Sequence, residues 1–191
     1  MNNQLTAYDL ANYISCKAKV TTDEYGPVTA YLSGVYIDPA DTNKSTIFIT
    51  FDSPVNGMWS DWVETHQVIP ILMPLSALSV PDGLTLVEIA CNRSFNPATT
   101  ICHISIERTK TASGYHDTGV LITVIDVLDY TIRLFIGFDQ HMRCQREMED
   151  FPIANILAIW NYLTHRCYDV QGWIQLGLAY NGVYVPEQGN D

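Results

Sequence analysis

Two histidine–cysteine pairs are the residues of this sequence whose types and spacing best suit chemistry. His141 and Cys144 stand in the run HMRC, and His165 and Cys167 stand in the run HRC. Neutral imidazole and thiolate are ligands of tetrahedral zinc, and a thiolate beside a histidine base can also act as a nucleophile. The four residues therefore indicate either a metal site or a thiol active site.

The spacing of the pairs supports neither kind of site strongly. The single residue between His165 and Cys167 does not aim both side chains at one point on a helix, and the gap between the pairs is only loosely finger-like. The sequence holds no nucleophile elbow, phosphate loop or His-Glu-x-x-His motif. The alternative interpretation is two unrelated occurrences, with His141 in a loop and Cys167 at a helix end. That interpretation predicts no catalytic residue, no metal and no cofactor.

The number and spacing of the cysteines indicate the cellular compartment in which the protein is expected to work. The five cysteines are odd in number and widely spaced, and the start MNNQLTAYDL lacks the basic and apolar regions of a secretory signal. No apolar run approaches the length of a membrane span. We therefore expect reduced thiols, mostly buried, in a cytoplasmic protein.

The charge limits the class of partner. The chain has 21 Asp and Glu residues against 10 Lys and Arg residues, a formal net charge of −11. An excess of this size repels phosphate, so direct contact with nucleic acid is not expected, whereas a basic protein surface would be attracted. The densest acidic cluster is EMED, and its residues Glu147, Glu149 and Asp150 are interface candidates.

The run GMWSDW supplies the other interface candidates. Trp59 and Trp62 stand close to Asp61 and Glu64 in a predicted loop. Exposed aromatic side chains in loops are frequent interface anchors. The alternative is that both rings lie under the sheet as a lid, and the high average burial of tryptophan favours it.

Two pairs of titratable residues fall at predicted turns, where Asp hydrogen-bonds its own backbone. They are His116 with Asp117, and Asp126 with Asp129. Turn formation is a sufficient explanation for both pairs.

The periodicity predicts a single α+β domain over residues 1–191. A short helix capped by Thr6 opens it, and residues 1–80 then form a small antiparallel half-barrel. Residues 81–150 form a β-meander of about four strands, at 84–92, 99–110, 120–128 and 130–138. Residues 151–191 form a helical hairpin whose second helix begins at Asp169 and stops at Gly177.

Three segments carry a resemblance to a known family. They are LTAYDLANYISCKAKV at the start, VIPILMPLSAL at 68–78, and the closing HRCYDVQGWIQLGLAY. Together they resemble uncharacterised phage and prophage proteins of gut bacteria over about a third of the chain. The positions that fit the closing motif are Tyr168, Asp169, Val170, Gly172, Ile174, Gly177, Leu178 and Ala179. Cys167 stands where the family tends to place His, which weakens a catalytic role for that position.

These observations favour a non-enzymatic accessory protein of phage or prophage origin that binds a host or phage protein. Inhibition of a basic nucleic-acid-handling host or defence protein is one such role. A metal-dependent or thiol enzyme that uses His141, Cys144, His165 and Cys167 is the first alternative. A self-assembling structural component is the second.

Overall fold

The computed structural model describes residues 5–41, 44–112, 114–126 and 130–183. The chain divides into two compact units, and each contains its own largely antiparallel sheet. Unit 1 comprises Met1–Met73, Thr164–Asp169 and Trp173–Asp191, and unit 2 comprises Pro74–Leu163 and Val170–Gly172. The α+β class is confirmed. The half-barrel and the single domain stay predictions.

Within the described ranges the helices are α1 (Ala7–Ala11), α2 (Val80–Cys91) and α3 (Ile156–His165). The strands are β1 (Lys17–Thr22), β2 (Gly26–Tyr36), β3 (Thr46–Val55), β4 (Met58–Glu64), β5 (Val68–Leu72), β6 (Thr100–Thr111), β7 (Gly114–Asp126), β8 (Tyr130–Gly137), β9 (Met142–Arg146), β10 (Glu149–Phe151) and β11 (Tyr180–Asn181). None of these helices has the length and apolar character needed to cross a lipid bilayer.

Unit 1 is built on a sheet with the strand order β11-β5-β1-β2-β3-β4. Strand β11 runs parallel to β5, and the other pairs are antiparallel. The predicted inner face of β3 is confirmed, because Ile47, Ile49 and Phe51 alternate as buried residues. Asn56 and Gly57 both have positive φ, as a two-residue hairpin turn requires, and this turn joins β3 to β4.

The opening helix of unit 1 follows from its cap. The backbone N–H of Asp9 donates to the hydroxyl of Thr6, and the carboxylate of Asp9 accepts from the N–H of Thr6. This reciprocal pair is a capping box, so the predicted N-cap is confirmed. The helix buries Ala7 and Leu10 against unit 1.

Unit 2 is a meander with the strand order β10-β9-β8-β7-β6. Three of the four predicted strands are confirmed as β6, β7 and β8, and the short strands β9 and β10 extend the sheet. Helix α2 packs on this sheet. A Cβ atom at Gly83 would lie 2.8 Å from Cδ1 of Ile104, so the close approach of helix and strand needs glycine there.

The strand predicted at 84–92 is wrong, because these residues belong to helix α2 and its cap. A short apolar run cannot be assigned to strand or helix by periodicity alone. The decisive signals lie at the ends of the run. Ser79 accepts the N–H of Asp82 as N-cap, Pro81 lies in the first turn, and Asn92 ends the helix in the left-handed conformation.

The predicted helical hairpin is also wrong within the described residues, because only its first helix forms, as α3. Asp169 does cap the following segment, since its carboxylate accepts the N–H groups of Trp173 and Ile174 at 2.9 and 2.8 Å. Residues 173–177 then form turns, and Gly177 has a φ of +73°. The chain then forms β11 beside β5. Pairing with an existing strand satisfies more backbone groups than a single isolated helical turn would.

Candidate functional site

The four residues of the predicted histidine–cysteine cluster are not assembled into one site. Cys167 is in a disulfide with Cys16 in unit 1, so the expectation of five reduced thiols is wrong. Cys144 is buried on β9 in unit 2, whereas His141 and His165 are exposed. Among the described residues, no three His, Cys, Asp or Glu side chains are placed to hold a metal ion. The residues therefore fit neither the metal site nor the histidine-assisted thiol site.

The two tryptophans of GMWSDW lie on a strand, so both the loop and the lid are wrong. They belong to β4, the last strand in the order of its sheet. Trp59 is 63% exposed and Trp62 is 53% exposed. Such exposure is unusual for tryptophan, and exposed aromatic side chains are common at interaction surfaces, so this strand is a candidate interface. We call Tyr36, Trp59, Asp61, Trp62 and Glu64 the β4 surface. Tyr36, Trp62 and Glu64 lie on the outer face of the sheet, whereas Trp59 and the partly buried Asp61 lie on the opposite face of the strand.

The sheet register explains why Trp62 stays exposed. Phe48 lies directly opposite Trp62 on the outer face, and their ring centroids are 5.0 Å apart. Gly34 lies opposite Phe48 on the next strand and has no side chain to cover these rings. Tyr36, on the same face, is 54% exposed. The outer face thus holds aromatic side chains that the described part of unit 1 leaves open to solvent.

Two carboxylates lie on the same strand as Trp59 and Trp62. Asp61 accepts the N–H of Trp62 at 2.7 Å, and Glu64 lies 3.1 Å from Nδ1 of His66 with its side chain 70% exposed. Burial raises the pKa of Tyr25, and the negative charges of Asp61 and Glu24 add to this rise. Between residues 23 and 64 the only basic side chain is Lys44, and the acidic ones are Asp23, Glu24, Asp38, Asp41, Asp52, Asp61 and Glu64. The β4 surface is therefore both aromatic and acidic.

The second predicted acidic group lies on the hairpin of β9 and β10. Its carboxylates have local partners: Glu147 accepts the N–H of Thr131, and Asp150 accepts from the side chain of Gln145 at 3.2 Å. Glu149 lies opposite Arg146 in the register. Because two of these carboxylates already accept hydrogen bonds within unit 2 and no exposed tryptophan lies among them, Glu147, Glu149 and Asp150 form a weaker candidate interface than the β4 surface.

Sequence analysis missed a small cavity in unit 2. A space of about 100 Å³ is lined by Cys91, Arg93, Tyr130, Ile132, Arg146 and Phe151. The thiol of Cys91 hydrogen-bonds that of Cys144. Strands β6, β7 and β8 separate these two cysteines in the sequence, so no local motif could have revealed the pair.

Two cationic side chains line the cavity, and both lie close to the ring of Tyr130. The guanidinium carbons of Arg93 and Arg146 lie 4.9 and 4.2 Å from the centroid of Tyr130. Arg93 also pairs at 3.2 Å with Asp126, which is buried on β7, so the turn predicted for Asp126 is wrong. Asp129, its predicted partner in that turn, lies outside the described residues.

The two thiols differ in acidity. The hydrogen bond from Cys144 lowers the pKa of Cys91, and the positive charges of Arg146 and Arg93 lower it further, against the opposing effect of burial. The same hydrogen bond raises the pKa of Cys144, as does burial. Cys91 is therefore the more acidic thiol of the pair.

Comparison with known proteins adds little. No protein-family model and no curated protein matches this chain. One solved structure, described as the extended Tudor domain from BmPAPI, matches at 12% identity over 65% of this chain and 67% of that one. Its TM-score is 0.25, so the likeness carries no argument about fold or function.

Proposed function

We propose that this chain is a non-enzymatic accessory protein of phage or prophage origin that binds a basic protein partner through the β4 surface. The observation that carries the proposal is the pair of exposed tryptophans, Trp59 and Trp62, among carboxylates on a strand at the end of its sheet. The resemblance of the three sequence segments supports the phage origin.

The β4 surface has the features of a protein-binding site. Tryptophan supplies a large contact area and dominates the binding energy at many interfaces. A strand at the end of a sheet also offers backbone N–H and C=O groups with which a partner strand can pair. Asp61 and Glu64 then select a cationic segment and speed its approach.

The occupant is a segment rich in Lys and Arg. The net charge of −11 attracts such a segment and repels nucleic acid. A basic nucleic-acid-handling host or defence protein carries segments of this kind, and its inhibition is the role we propose.

The compartment needs a measurement. The proposed location is the cytoplasm of the bacterial host, but a disulfide such as Cys16–Cys167 persists mainly in oxidising compartments. Alkylation of protein from acid-quenched host cells, after denaturation and without reductant, separates the two cases, because the native burial of Cys16 then no longer limits access. If Cys16 and Cys167 are modified, the result supports the proposed cytoplasmic location. If both resist modification, the disulfide is present and the result contradicts that location.

The binding proposal is tested with matched surface variants. Tagged wild type, the double variant Trp59→Ala/Trp62→Ala and the control Tyr115→Ala are used to capture partners from host lysate. Tyr115 is 69% exposed on β7, away from the β4 surface in the sequence. We expect a basic partner to be retained by wild type and by Tyr115→Ala and to be lost by the tryptophan variant.

Affinity measurements with the purified partner complete the test. Trp62→Ala is expected to weaken binding by about 2 kcal/mol, a factor of about 30. The dissociation constant should rise steeply with salt, because the carboxylates attract the partner through an exposed surface. Equal binding by the tryptophan variant contradicts the proposal, and a salt-insensitive complex removes its electrostatic part.

The alternative is self-assembly, in which β4 of a second copy of this chain takes the place of the basic partner. Pairing of β4 with a second copy would bring like charges together, which opposes it. Light scattering that shows oligomers of wild type but monomers of Trp59→Ala/Trp62→Ala would replace the binding proposal with self-assembly.

A further inference from the structure

We propose that Cys91 and Cys144 form a dithiol site that reduces small disulfides bearing carboxylates, with Cys91 as the attacking sulfur and Cys144 as the resolving sulfur. The site lies in unit 2 and is independent of the β4 surface. It is also distinct from the histidine–cysteine pairs of the sequence.

The positions of the two thiols suit these separate roles. Cys91 is the last residue of α2, is partly exposed and lines the cavity of about 100 Å³. Cys144 is 2% exposed on β9 and contacts Cys91 through its thiol. An external disulfide can therefore reach Cys91. Cys144 is too buried to meet that disulfide and can react only with the mixed disulfide formed on Cys91.

Two arginines supply the specificity. Arg146 stacks on Tyr130 and has no ion pair among the described residues, so its guanidinium is available to a carboxylate. Arg93 is less available to a carboxylate, because Asp126 already accepts one of its N–H groups. The buried hydroxyl of Tyr130 has no hydrogen-bond partner within the described ranges, and a bound acid group or water would satisfy it.

The chemistry balances without a cofactor. The Cys91 thiolate attacks one sulfur of a disulfide RSSR, a bond forms between them, and RS⁻ leaves and takes a proton from water. Cys144 then loses its proton to solvent and attacks the Cys91 sulfur, which forms the Cys91–Cys144 disulfide and expels the second RS⁻. Two electrons pass from the dithiol to RSSR, so each protein molecule reduces one disulfide.

The acidities of the two thiols set the order of rates. The lowered pKa of Cys91 favours the thiolate that the first step needs, whereas the raised pKa of Cys144 makes the second step wait for deprotonation. Release of the two RS⁻ groups should therefore be biphasic, with a fast first equivalent and a slow second one.

The test uses dithiobis(nitrobenzoate), a disulfide with a carboxylate on each ring, on the intact protein without reductant. We expect two coloured thiolates from the pair and a Cys91–Cys144 disulfide in the peptide mass map. Cys91→Ser should lose both phases. Cys144→Ser should keep the fast phase and retain a mixed disulfide. The matched control Cys102→Ser removes a partly buried thiol elsewhere in unit 2 and should keep both phases.

A neutral reagent isolates the role of Arg146. Arg146→Gln should slow the fast phase with dithiobis(nitrobenzoate) about tenfold, and should slow the reaction with neutral dipyridyl disulfide much less. Equal slowing with both reagents overturns the proposed specificity for carboxylates. A fast phase that survives Cys91→Ser, or a wild-type mass map without the Cys91–Cys144 disulfide, overturns the site itself; the mass map needs no variant to fold.

Discussion

The molecule contains two cysteine pairs, one in each unit, with opposite surroundings. In unit 1 Cys16 is fully buried and is already bonded to Cys167, which lies 151 residues away in the sequence. In unit 2 Cys91 and Cys144 are free, and two guanidinium groups lie beside them. The first pair cross-links distant segments of the chain, whereas the second places a free thiol of lowered pKa at a cavity.

The difference shows that the neighbours of a cysteine decide its role. A thiol enclosed by a core has neither the charge nor the access that reactivity needs, whereas cationic neighbours stabilise a thiolate. Histidines close in sequence to Cys144 and Cys167 suggested a shared chemistry for them. The structure gives each of these cysteines another cysteine as its partner, and the two partnerships have different consequences.

The largest expected effect comes from removing the cross-link. Cys16→Ala/Cys167→Ala should lower the free energy of unfolding by about 2 to 5 kcal/mol, because the unfolded chain loses a long closed loop. Urea unfolding measures the change, and reductant should destabilise wild type similarly. Cys102→Ala, which breaks no disulfide, serves as the control. A loss no greater than that of the control would show that the pair does not stabilise unit 1.

Among the described residues of unit 2, no disulfide holds α3. A hydrogen bond should therefore contribute a larger part of the free energy that holds this helix in place. The hydroxyl of Tyr162 donates to the buried carboxylate of Asp82 at 2.7 Å, and Asp82 also accepts from Ser79 at the start of α2. Asp82→Ala should cost about 2 to 3 kcal/mol and Tyr162→Phe about 1 to 2 kcal/mol in urea unfolding. If both substitutions prove neutral, these contacts do not hold α3.

The smallest expected effect is a difference in the pH dependence of two free thiols. The hydrogen bond from Cys144 and the nearby arginines lower the pKa of Cys91, whereas burial raises the pKa of Cys102. As pH rises, Cys91 should therefore become reactive before an ordinary thiol, and Cys102 after it. Alkylation by neutral iodoacetamide, followed by peptide mapping across pH, measures both midpoints. Coincident midpoints would remove the distinction.

Local signals in the sequence predicted much of the secondary structure. Thr6 and Asp9 carry a complete cap, and the alternation in β3 is strict, so both elements follow from a few neighbouring residues. The run 84–92 was assigned to a strand because the apolar pattern outweighed Ser79 and Asn92 at its ends. The second C-terminal helix failed because pairing with β5 competed with a short helix.

By itself, the sequence determined the acidity of the protein and the antiparallel character of its sheets. These properties depend on composition and on short-range periodicity. Only the tertiary structure decided that Trp59 and Trp62 are exposed, that Cys167 is bonded to Cys16, and that Cys91 contacts Cys144. Exposure and thiol pairing depend on which distant segments pack together, and residues far apart in a chain carry no local mark of that contact.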